Sequence, residues 1–214
     1  MVEAILDDRK TMTRRTKGLE KIFPLAEFVK PNKAWPKQGD WASGKNVEHN
    51  PPIVEILDVI KCPYGKPGDI LWVREKFREY YHVDEAGYTQ YDKKIIEFAT
   101  DNPPMLPQMD ADGFRMFNKN GSEKFIPWKS SLFMPKSACR LFLEITDVRV
   151  ERLQEISWED AEKEGCYGYR PTQDEPTHEF KRLWQSINGP ESWEANPFVW
   201  VISFKQIEKP ENFK

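Results

Sequence analysis

Between Ser137 and Leu153 the chain reads SACRLFLEITDVRVERL, and its apolar residues change parity partway along. Cys139, Leu141, Leu143 and Ile145 fall on alternate positions, the period of a half-buried strand, and Val148 and Val150 then carry the apolar face on the other parity. A straight strand would turn its second half inside out, so the backbone must absorb the slip in a bulge or sharp bend near Thr146 and Asp147. Bent strands of this kind form the corners of small barrels. The neighbouring segments fit such a frame: Ile70 to Arg74 and FVWVISFKQI (198–207) read as strands. Val2, Ile5 and Leu6 recur at helical spacing and predict a short helix that runs out near Lys10, after which KTMTRR reads as extended chain. Ser157 with Asp160 predicts a capped start for a helix over WEDAEKE that Gly165 ends. A second helix follows an expected Thr177 cap, with Phe180, Leu183, Trp184 and Ile187 on one face and Gly189 and Pro190 as its stop. The fold expected is α+β, a small β-barrel with short helices capping it.

The chain has 214 residues, 39% hydrophobic and 13% aromatic, enough for one sizeable core. It reads as a single domain over 1–214 containing two irregular regions. Residues 18–52, rich in Pro, Lys, Asn and Gly, read as a long irregular loop, and the polar stretch 76–127 reads as an insertion carrying a hairpin. Cys62, Cys139 and Cys166 are odd in number and lack C-x-x-C spacing, so neither a disulfide framework nor a zinc ribbon is indicated, and a reducing, cytoplasmic setting fits. His49, His82 and His178 stand far apart in unlike contexts, so no metal site and no cofactor are implied. No stretch approaches the roughly 18 uninterrupted apolar residues of a membrane span, so no membrane partner is expected. A net charge of −3 argues against a protein that coats nucleic acid with its whole surface.

Against that acidic background, Arg9, Lys10, Arg14 and Arg15 crowd around Thr11 and Thr13 in RKTMTRR, with Lys17 just beyond. Cations so concentrated suit a phosphate or a developing oxyanion. The same segment carries a resemblance. RKTMTRR after a short amphipathic helix, then KPGDILWV, a capped EDAEKEG helix, a second helix and a closing strand together resemble the ASCH domain of the PUA-like superfamily. CPYGKPGDILWVRE, the MP of FMPKSACR, EITDVRVERL and NPFVWV are most similar to the larger ASCH-like proteins of phages and prophages. The likeness covers 1–16, 62–77 and 128–206. One departure is that Asp8 stands where a glycine is common in the family's G-x-K-x-x-T-x-R signature.

The resemblance implies a PUA-like barrel whose signature segment lines a cleft for RNA or a modified nucleoside or nucleotide. Some small members are amidohydrolases that remove the acetyl group of acetylcytidine with a lysine, a threonine and a glutamate. Those residues fall here on Lys10, Thr13 and Glu164. A threonine hydroxyl needs an adjacent base to act as nucleophile, and a lysine serves only if it can give up its proton. Arg9, Arg14 and Arg15 favour that loss, and Glu164 opposes it. The expected cleft is bounded by residues 9–15, the 70–75 strand and the 158–164 helix, with Arg9, Arg14, Arg15, Lys17, Arg74 and Glu75 as nucleotide-binding residues. Binding of RNA or a modified nucleoside ranks first, an amidohydrolase second. A ribonuclease ranks third, because with no histidine near the cluster its acid and base would have to be Lys and Glu.

Overall fold

The computed structural model describes residues 2–19, 27–29, 40–47, 53–83, 89–108, 115–167 and 175–213. Among them, in chain order, are α1 (Val2–Leu6), β1 (Met12–Arg15), β2 (Glu27–Val29), β3 (Asp40–Val47), β4 (Ile53–Lys61), β5 (Ile70–Trp72), β6 (Phe77–Val83), β7 (Thr89–Phe98), β8 (Phe142–Arg152), α2 (Trp158–Lys163), α3 (Pro176–Asn188) and β9 (Phe198–Ile207). The chain divides into two compact units: Glu3–Leu71 with Leu143–Ile207, and Trp72–Phe142 with Glu208–Lys214.

The first unit is built on a sheet of order β1-β9-β8-β5, in which β1 runs antiparallel to β9 with Met12 opposite Ser203 and Arg15 opposite Trp200. Val199, Trp200, Val201 and Ile202 are all at most 1% exposed, so β9 is covered on both faces. Its alternate residues enter two cores. Val199 and Val201 join Met12, Leu153, Ala161, Phe180 and Trp184, which draws α2 and α3 onto that face. Trp200 and Ile202 join Leu19, Ile145 and Val148 on the other. Ile145 and Val148, three positions apart on β8, share one core while Thr146 is exposed, so the strand bends where its parity changes. A second sheet, β2-β3-β4, is antiparallel throughout.

The described strands close no sheet, and the architecture among the described residues is mixed α and β with antiparallel pairing and few helices. Residues 18–52 differ from the expected irregular loop, because β2 and β3 lie within them; 20–26, 30–39 and 48–52 fall outside the described residues. The register of β3 against β4 slips between Ser43 and Gly44, and such a bulge breaks the alternation by which a strand is recognised. Helix α3 begins at Pro176 after the N-cap Glu175, so Thr177 lies inside the helix instead of capping it. Proline is pre-set for the first helical position, where its missing N–H costs nothing.

In the second unit β6 and β7 form the expected antiparallel hairpin. The unit has apolar residues of its own to bury: Phe77, Phe98, Met134, Leu141 and Phe142, with Phe213 edge-on to Phe142 at 4.5 Å. Where one domain with an insertion was expected, 76–127 is the larger part of this unit. No helix among the described residues is long and apolar enough to cross a membrane.

Candidate active site

Two backbone features bring the ends of the first unit together. Thr11 N donates to Lys163 O at 2.8 Å, tying the end of α2 to the start of β1. Gly165 turns the chain after α2 with φ of 91°, a conformation in which a side chain is strained. A Cβ there would lie 3.4 Å from Ala4 Cβ and 3.6 Å from Lys10 Cβ, so the turn also lets α2 approach α1 and Lys10. Ser157 holds the other end of α2 by accepting from Asp160 N at 3.2 Å.

Glu164 is thereby delivered to Lys10. Lys10 Nζ donates to Glu164 Oε2 at 2.6 Å and to Glu164 O at 2.8 Å. Arg14 Nη1 lies 3.3 Å from the other carboxylate oxygen, while its Nη2 reaches Glu151 Oε1 at 2.6 Å and Asp160 Oδ2 at 3.0 Å. Arg149 completes the network on the same two acids, Glu151 at 3.0 Å and Asp160. Arg14 also lies over the Phe180 ring, 5.6 Å from its centroid. Buried ions are tolerated only with partners and hydrogen bonds. Here the cations Lys10, Arg14 and Arg149 face the acids Glu151, Asp160 and Glu164. Half of the cation cluster in the sequence is therefore neutralised inside the protein, and Arg14, 1% exposed, is spent on three carboxylates.

Of this network Lys10, Arg14 and Glu164 line a cleft of about 260 Å³ together with Thr13, and Phe180, Leu183, Trp184 and Ile187 of α3 are also in its lining. Lys10, Thr13 and Glu164, predicted together, thus meet in one cleft. Thr13 Oγ1 is buried with no hydrogen-bond partner among the described residues, Lys10 included. Arg15 and Lys17 are in the lining too. Arg15 Nη1 donates to Arg14 O at 2.9 Å, and neither residue makes an ion pair with another described residue.

The other expected site residues are not among this lining. Arg9 is exposed, paired with Asp7 at 2.9 Å and set over the Tyr167 ring. Arg74 and Glu75 belong to the second unit. Glu75 is fully buried and bonded to Arg140 and Thr100, each at 2.8 Å, so it has no surface to offer a ligand. Arg74 stacks over Trp72 at 4.8 Å and donates to Leu132 O. The wall expected from the 70–75 strand is supplied instead by α3 and Tyr64, while Leu71 packs on a core cluster.

Sequence reasoning missed Glu151 and Asp160 as partners of Arg14, and Arg149 as a second cation on the same two acids. The available signal was R-V-E at 149–151, two charges spaced to share one face of a strand. Cys166 is excluded as a nucleophile: it is 2% exposed, and burial above all pushes its thiol up to about 12. In comparisons with known proteins, no family model, curated protein or solved structure matches the chain.

Proposed function

We propose that the cleft binds a modified nucleoside or nucleotide and hydrolyses an acyl amide on its base, as in acetylcytidine. The observation that carries this reading is the meeting of Lys10, Thr13 and Glu164 in one cleft, with Lys10 Nζ 2.6 Å from Glu164 Oε2 across 154 positions of sequence. A protein that only bound phosphate would need the cations without that carboxylate. The reading includes the resemblance to ASCH domains and their PUA-like barrel, and one detail supports it. Asp8, in the family's glycine position, has φ of 54°, in the left-handed region that glycine favours and aspartate tolerates.

In this mechanism Lys10 passes a proton to Glu164, the acceptor already in place, and then takes the proton of the Thr13 hydroxyl. Thr13 Oγ attacks the acyl carbonyl carbon, and the cation of Arg15 in the cleft stabilises the oxyanion. Collapse breaks the C–N bond, and the base amine leaves with the proton held by Lys10. Lys10 then takes a proton from water as it attacks the Thr13 ester and passes it to the departing Thr13 Oγ; acetate and one proton leave, and Glu164 returns its proton to Lys10. The test is to incubate the purified chain with acetylcytidine, expecting acetate and cytidine in equal amounts and neither from Thr13→Ala. Acetylcytidine that binds and stays intact would overturn the enzyme reading.

The second reading, RNA or nucleotide binding without chemistry, is favoured by one observation: Arg15 and Lys17 line the cleft without an acidic partner among the described residues. No observation among the described residues separately favours a ribonuclease.

A further inference from the structure

We propose that Trp184 sets specificity in this cleft by donating its indole N–H to a carbonyl oxygen of the bound base, an assignment that rests on the nucleoside reading above. Trp184 is 6% exposed, with its ring beside Phe180 at a centroid distance of 6.1 Å. Its Nε1 is buried and donates to no partner among the described residues. An indole N–H is a donor only, so it cannot be satisfied by reversing its role. Leaving a buried donor dry is costly, and native interiors seldom retain such a group without a use for it.

Its position gives the use. Trp184 lines the same cleft as Thr13, whose hydroxyl is also buried and unpartnered. Two residues with unsatisfied polar groups, from elements far apart in the chain, thus line one space. A base carrying an acyl amide and a ring carbonyl answers both, presenting its electrophilic carbon to Thr13 and an acceptor to Trp184. Leu183 and Ile187, 40% and 61% exposed, continue the lining along α3, and their uncharged surface suits the face of a heterocycle. A base offering a donor instead would set N–H against N–H and leave a buried donor unpaired, the arrangement that gives hydrogen-bonding sites their strong discrimination. Nε1 is covered by its neighbours, so the proposed bond requires the lining to shift around the bound base.

The experiment follows the Trp184 indole N–H resonance of the full, isotope-labelled chain during titration with acetylcytidine. The resonance is assigned by its loss in Trp184→Phe, or from wild-type connectivities alone should that variant not fold. The expected result is a downfield shift with slowed solvent exchange on binding. Trp184→Phe should raise KM for acetylcytidine about tenfold with kcat little changed, as removal of one uniform binding interaction does. If the indole resonance stays fixed while the amides of Lys10 and Thr13 report saturation, the assignment falls and the nucleoside reading stands. If no resonance moves at all, the nucleoside reading falls and the assignment with it.

Discussion

Glu164 shares its carboxylate between two buried cations, with Oε2 2.6 Å from Lys10 Nζ and Oε1 3.3 Å from Arg14 Nη1. The arrangement is asymmetric. Without Lys10, Glu164 keeps Arg14; without the carboxylate, Lys10 keeps only the Glu164 carbonyl. Removing one partner of a buried pair costs about 3–5 kcal/mol because the other charge is left uncompensated. Glu164→Gln is therefore expected to destabilise the protein by about 3 kcal/mol in urea unfolding, and Lys10→Met by clearly less. The reverse order would show that the pair does not hold the site as described.

Gly165 gives a second stability test. Its φ of 91° is unfavourable for any side chain, and a Cβ would meet Ala4 Cβ at 3.4 Å. Gly165→Ala should cost about 1–2 kcal/mol by urea unfolding and, by displacing Glu164, lower any hydrolytic activity as well. Unchanged stability would mean that the turn relaxes without strain.

Much of the first unit was legible in the chain. The parity change in β8 announced its bend, and Ser157 and Gly165 marked α2, because each signal is local. The site was harder to read. Arg14 was expected to face a bound nucleotide, since its acids Glu151 and Asp160 lie 137 and 146 positions away in the chain. Periodicity placed Leu183 and Ile187 on the buried face of α3, but it cannot tell a core from the wall of a cleft, and both are exposed. The convergence of Lys10 with Glu164 was anticipated only through the ASCH resemblance. The second unit stayed hidden because its apolar residues are scattered among polar ones from Phe77 to Phe213.

The pairing of Arg14 also limits how phosphate can bind. With Arg14 committed, Arg15 and Lys17 remain. Binding of short single-stranded RNA should weaken with salt at a log-log slope of about −1.4, roughly 0.7 for each of two charges. A slope beyond about −3 would require a broader basic surface, and no salt dependence would remove phosphate from the ligand.

Cys166 carries a pH prediction. Its thiol rises from 9.0 to about 12, chiefly because burial disfavours the thiolate. The unfolded chain loses this proton first, so the stabilisation is fully present below about pH 9 and is lost as pH climbs toward 12. Denaturant midpoints measured across that window should fall, and fall less in Cys166→Ala. At pH below 9 a thiol reagent should label Cys62, which is half-buried, well before Cys166. Equal labelling rates would contradict the sealed position of Cys166.

The central claim is that Lys10 works by moving a proton, and Lys10→Arg addresses it most directly. Arginine keeps the positive charge but cannot give up its proton to act as base. With wild-type protein releasing acetate from acetylcytidine, Lys10→Arg should retain nucleoside binding and lose nearly all release, as Lys10→Ala does. Release by Lys10→Arg at a rate near wild type would contradict the account, leaving Lys10 as a charge that holds the cleft together.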